Sequence, residues 1–195
     1  MIIYIDNGIK LILEGYLCGE VASIYWEDAR ADISLSGDGC RLLGLKVSLN
    51  NDGSLLAVGD CYYDAIDGNN GLTGDGGSNN GQIHICEVLY GVEPRLYSCE
   101  IIATGAAGDH AGSSIMIAKY EPCVLYGSTQ SGTGQNGTAT VAYCDDNQQW
   151  VTEITLQGEA PEDNFGFSVG ISSDAKYIAV GARFKDHIDD SGKIK

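Results

Sequence analysis

Proline is almost missing from this chain, with 3 among 195 residues, and basic side chains are scarce, with 11 Lys and Arg against 27 Asp and Glu. So few prolines exclude a stiff polyproline stalk. A formal net charge of −16 leaves too few cations to cover a phosphate backbone. That excludes a nucleic-acid surface and a basic membrane-surface patch. No apolar run approaches the roughly 20 residues of a membrane-spanning helix. The opening, MIIYIDNGIKLILEG, is no secretory leader, because Asp6 and Lys10 interrupt its apolar run and its alternation is that of a strand. Hydrophobic residues at 44% nonetheless suffice for a core, so wholesale disorder is excluded. What the chain has in abundance is glycine, 27 residues, a composition suited to many tight turns.

Self-comparison finds three segments of equal length that align without a gap: 44–60, 112–128 and 166–182. The first and third share Gly44/Gly166, Val47/Val169, Asp52/Asp174, Ala57/Ala179, Val58/Val180 and Gly59/Gly181. The middle copy keeps Gly112, Ile115, Ile117, Val124 and Gly127 in register. Successive copies are unevenly spaced, and the mean period is about 61 residues, longer than that of a WD repeat. Each copy reads as two strands around a short turn, NNDG (50–53), KYEP (119–122) or SSDA (172–175). Its first strand alternates, whereas its second is continuously apolar, as a strand buried on both faces must be.

A third and a fourth strand follow in each copy: 81–88 and 95–105, then 137–144 and 149–158, with GKIK (192–195) as the start of another third strand. Residues 2–15 read as the same third-and-fourth pair. Four antiparallel strands per repeat describe an all-β protein, a β-propeller of four-stranded blades that is incomplete, with about three blades. The expected divisions are 1–43 (the end of one blade plus a partial repeat), 44–105 and 106–158 (two blades) and 159–195 (the start of a further blade). The chain is expected to be a fragment of a longer protein, its ring completed by missing blades or by oligomerisation.

These residues resemble the FG-GAP repeats of integrin α-like propellers. The matching strings are DNFGFSVGISSDAKYIAVGA (163–182), GDHAGSSIMI (108–117) and the spacing from Trp150 to Gly158. The resemblance implies a non-enzymatic segment of a secreted or cell-surface protein, binding a protein or carbohydrate through rim loops in adhesion or recognition. Two departures stand out. The family's calcium-binding blades carry a D-x-D-x-D-G loop between the first two strands, but turns of four residues cannot supply six or more oxygen ligands. ADISLSGDGCRLL (31–43) resembles a blade opening, yet it lies too close before VSLNNDGSLLA (47–57) for a whole blade to fit.

Chemistry-bearing residues are sparse. His84 lies within a strand and is expected at a solvated or channel-facing position. His110, near Ser113 and Ser114, mimics a triad only by adjacency, and no G-x-S-x-G elbow is present, so an enzyme is not expected. None of the seven cysteines forms C-x-x-C, and with an odd count at least one thiol stays unpaired. Cys123 aligns with inner-strand core positions. No cofactor is expected. The acidic loop 60–80 offers Asp60, Asp64 and Asp67 as a weak site for a cation such as calcium, with Asp75 nearby and Asp186, Asp189 and Asp190 in the corresponding later loop. The bland account of these carboxylates is a solvated acidic loop. Tyr62 and Tyr63 either contact ligand or pack on the rim. The tripeptide Asn136-Gly137-Thr138 is a glycosylation acceptor if the protein is exported. An intracellular scaffold of the WD-repeat kind, or an enzyme whose catalytic residues lie outside this chain, are the alternatives.

Overall fold

A computed structural model describes residues 2–5, 9–13, 30–33, 46–63, 79–89 and 95–185. Two four-stranded antiparallel sheets dominate. The first runs β4 (Lys46–Leu49), β5 (Leu55–Asp60), β6 (Gln82–Leu89), β7 (Arg95–Thr104). The second runs β8 (Ala111–Ile117), β9 (Cys123–Ser128), β10 (Thr138–Cys144), β11 (Trp150–Gln157). In both, the strands pair antiparallel in sequence order. The third repeat contributes β12 (Phe165–Ile171) and β13 (Ile178–Ala182), paired antiparallel. A separate three-stranded sheet joins β1 (Ile2–Ile5), β2 (Ile9–Leu13) and β3 (Arg30–Ile33), and its β2–β3 pair is parallel. The segments 34–43 and 192–195 lie outside the described residues.

The apolar run of the second strand has the consequence expected of it in the first two repeats, whereas β13 of the third is exposed or half-buried along its length. In β5, Leu56, Ala57 and Val58 are 0% exposed, and every residue of β9 is buried. Alternate residues serve opposite faces. Ala57 of the first sheet packs with Val124 and Tyr126 of the second, in one cluster with Ile83, Ile85, Ile115 and Ile117. Full burial of one such aliphatic side chain contributes roughly 1.5–3 kcal/mol, so this seam holds the two blades together.

Close backbone approach fixes how the blades meet. β8 and β12 each bulge at their second residue, Gly112 and Gly166, where φ is 84° and 85°. The bulge aims the Gly112 carbonyl at Gly59 on the inner strand of the first blade, and the Gly166 carbonyl at Gly127 on that of the second. A Cβ on Gly112 would lie 2.9 Å from the Gly59 Cα, and one on Gly166 would lie 3.1 Å from the Gly127 Cα. Turn-to-turn bonds repeat as well: Asn51 N–H donates to the Lys119 carbonyl and Tyr120 N–H to the Ser173 carbonyl, both at 3.0 Å. The turns are self-capped. Asp52 accepts from the Ser54 N–H and hydroxyl, and Asp174 from the Ser172 hydroxyl and the Lys176 N–H. The Ser172 hydroxyl is the main cause that holds the Asp174 carboxyl down to about 2.

Candidate functional site

Where the second blade meets the third repeat, residues after β9, before β12 and after β13 come together on one rim. They line a cleft of about 440 Å³ formed by Gln130, Gln135, Pro161, Glu162, Asp163, Asn164 and Phe184. Three of these residues, Gln135, Glu162 and Asn164, sit in the left-handed region at φ 61°, 65° and 53°. The loop is held from below by backbone bonds. Phe184 N–H donates to the Asp163 carbonyl, and Phe165 N–H to that of Asn136.

The lining combines three primary amides, two carboxylates, a proline and a phenylalanine, with no cation among them. The Arg183 guanidinium lies over the rings of Phe167 and Phe184, at 4.9 and 4.8 Å from their centroids. Lys185 is paired with Glu159. Polar groups that donate and accept thus flank Phe184 and Pro161 in this cleft.

At the corresponding place between the first two blades, the rim carries Tyr62 and His110 in edge-to-face contact, centroids 5.7 Å apart. Tyr62 therefore packs on the rim. Burial, opposed by Asp109, lowers the His110 pKa. The Ser113 hydroxyl donates to the Gly127 carbonyl and the Ser114 hydroxyl to that of Gly166, so neither is presented to the imidazole as a nucleophile. The solvated position expected for His84 is corrected: the residue is 7% exposed, in an interior strand between Val58 and Ile101. Its neighbours along the strand, Ile83 and Ile85, are buried as well, which leaves no solvated position at His84.

Of the proposed cation ligands, Asp60 is 0% exposed at the end of β5. Asp64 and Asp67 lie outside the described residues, as do Asp75, Asp186, Asp189 and Asp190. Among the described residues no group of three or more His, Cys, Asp or Glu could hold a metal ion. Asn136 is 9% exposed, and its Nδ2 donates to the Gly158 carbonyl at 3.0 Å.

Cys86 and Cys99, directly opposite each other on β6 and β7, form a disulfide. Cys61, Cys123 and Cys144 are free thiols, and Cys18 and Cys40 lie outside the described residues. Cys123 is a core residue, as its alignment requires. Burial, with Asp60 adding to it, pushes the Cys61 thiol up to about 11. Burial and neighbouring acids raise Cys123 and Cys144 too, so the three stay protonated and poorly nucleophilic at neutral pH. Cys123 and Cys144 border a second cleft, of about 420 Å³, at the other end of β9.

These features define a repeat-built β protein with propeller-type blades, each clamped to the next by a glycine pair. Residues 150–194 match the FG-GAP repeat family, and that stretch is an FG-GAP repeat. No curated protein matches the chain. The matched unit starts with β11, the outer strand of one blade, and continues into β12 and β13 of the next repeat. The sequence repeat therefore spans the junction that Gly166 closes. Sequence reading missed the cleft residues Gln130, Gln135, Glu162, Asn164 and Phe184. The signal that finds them is the register that aligns segment 112–128 with 166–182, because it also sets Gly108-Asp109-His110 against Glu162-Asp163-Asn164.

Proposed function

We propose that the chain is a non-enzymatic propeller segment of a secreted or cell-surface protein that recognises a protein or carbohydrate ligand through one rim. The cleft between the second blade and the third repeat carries this reading. Phe184 and Pro161 supply apolar contact area, and the amides and carboxylates around them supply orienting hydrogen bonds. The disulfide Cys86–Cys99 supports an oxidising compartment. Acidic lining and a net charge of −16 favour basic or cation-bridged partners. In this reading further blades, or other copies, complete the ring against the outward face of β12 and β13, where Phe167 and Tyr177 are exposed.

The test is binding of the full chain to an oligosaccharide array and an immobilised peptide library, repeated with Phe184→Ala and Glu162→Gln. The reading predicts at least a tenfold loss of affinity in both variants with little change in Tm. Unchanged binding in both would remove the cleft from the account.

A further inference from the structure

The tripeptide Asn136-Gly137-Thr138 has the form of a glycan acceptor, and the fold employs all three residues for another purpose. Besides the bond from Asn136 Nδ2 to Gly158, the Gly137 N–H donates to the Ser131 carbonyl and the Gly158 N–H to the Gly137 carbonyl, both at 2.9 Å. Phe165 N–H, from the third repeat, donates to the Asn136 carbonyl at 3.2 Å. Thr138 is a buried position of the interior strand β10, between Ser128 and Gln157.

The first blade makes the same four bonds at Asn80-Gly81-Gln82, which is no acceptor sequence. Asn80 Nδ2 donates to the Gly105 carbonyl at 2.8 Å. Gly81 N–H donates to Tyr63, Gly105 N–H to Gly81, and Ala111 N–H to Asn80, at 3.1, 3.0 and 3.0 Å. The pattern therefore belongs to the blade and owes nothing to a glycan.

We infer that Asn136 is a structural clasp tying the third strand of the second blade to its fourth strand and to the next repeat, and that a glycan on Asn136 and a closed second blade exclude one another. Transfer from a lipid-linked diphosphate sugar joins Nδ2 to the sugar C1. The bond from C1 to the diphosphate oxygen breaks, the lipid diphosphate leaves, and Nδ2 gives up one proton. In the closed blade that nitrogen faces the Gly158 carbonyl on a residue 9% exposed, and no sugar fits there. The acceptor is usable only while the second blade is open, so a glycan there marks chains that have not closed.

The full chain is expressed through a glycosylating secretory host, separated into protease-resistant and protease-sensitive fractions, and mapped by mass spectrometry. The expected result is a protease-resistant fraction without glycan at Asn136. A protease-resistant chain carrying that glycan would overturn the inference. In a bacterial host without asparagine glycosylation, Asn136→Asp replaces the donor by a carboxylate oxygen facing a carbonyl. Asn80→Asp makes the same change where no acceptor sequence exists. Each is expected to lower Tm by about 4–8 °C, while the exposed Gln148→Glu leaves it within about 1 °C. A parental Tm in Asn136→Asp contradicts the clasp. If Asn136→Asp does not fold, the glycan distribution of the parent chain decides alone.

Discussion

The two blade junctions share a backbone and differ in side chains. Asn79 and Gln135, Gly108 and Glu162, His110 and Asn164, and Gly112 and Gly166 occupy matching places, and all eight have positive φ. Backbone strain found at a single place invites a functional explanation. Strain that recurs at every junction is architectural, because it shapes the bulge that brings one repeat's glycine carbonyl against the previous inner strand. What changes between the junctions is what fills the rim. Tyr62 and His110 pack edge to face at the first, and Gln130, Glu162, Asn164 and Phe184 line a cleft at the second. The backbone thus repeats, and the rim side chains are where the repeats diverge.

The largest effect is expected at the glycine contacts. Gly59→Val and Gly127→Val drive a side chain into a neighbouring backbone and should destabilise by about 3–5 kcal/mol, on the order of 10 °C in Tm. For Gly181, the matching glycine of the third repeat, the three nearest atoms among the described residues all belong to its own pairing partner Ser168. Gly181→Val should therefore cost about 1 kcal/mol or less, and equal losses at all three would break the comparison.

The disulfide comes next. Cys86 and Cys99 are 13 residues apart, and Ala142 and Thr152 oppose each other at the matching place in the second blade. Transplanting that pair, Cys86→Ala with Cys99→Thr, should cost about 3 kcal/mol by loop-closure entropy, read by denaturant unfolding.

Glu162→Gly places the first junction's residue in the second and relieves a left-handed side chain, for a gain of about 1 kcal/mol. A loss would mean that the Glu162 side chain itself holds the loop. The smallest stability effect concerns pH. His110 has a folded pKa below its ordinary 6.5, so the unfolded chain takes up the proton more readily. Its contribution is complete above pH 6.5 and declines as pH falls through that value toward the folded pKa. The groups facing the ring are Asp109, which opposes the shift, and Tyr62. His110→Asn, the second junction's residue, should flatten stability between about pH 7 and 5. An unchanged slope would assign that pH dependence to other groups.

Much of the repeat was legible because physical necessity writes it locally. A strand sealed on both faces must be apolar throughout, so 55–59 and 123–127 announced themselves, and alternation marked β4 and β12. The recurring glycines were visible, but their reason was not, since the contact of Gly127 with Gly166 joins residues of different repeats. Disulfide pairing is likewise long-range information. Asn136 is a different case: the three residues that fit an acceptor motif also serve a hydrogen-bond pattern that only comparison with Asn80 exposes. The cleft was hidden because its members come from three separate loops, each ordinary on its own. The Asp60, Asp64 and Asp67 loop drew notice by charge, and of these three carboxylates the structure describes only Asp60, buried at the strand end.

The central claim is that each inner strand is sealed by the repeat that follows. β9 and β13 carry the same apolar pattern, yet β9 is wholly buried while Ile178 and Ala179 of β13 are exposed, as is Tyr177 just before it. Native-state amide hydrogen exchange of the full chain compares them directly. The account predicts that amides of β5 and β9 open only with global unfolding and exchange at least roughly a hundredfold more slowly than those of β13. Exchange in β9 as fast as in β13 would contradict it.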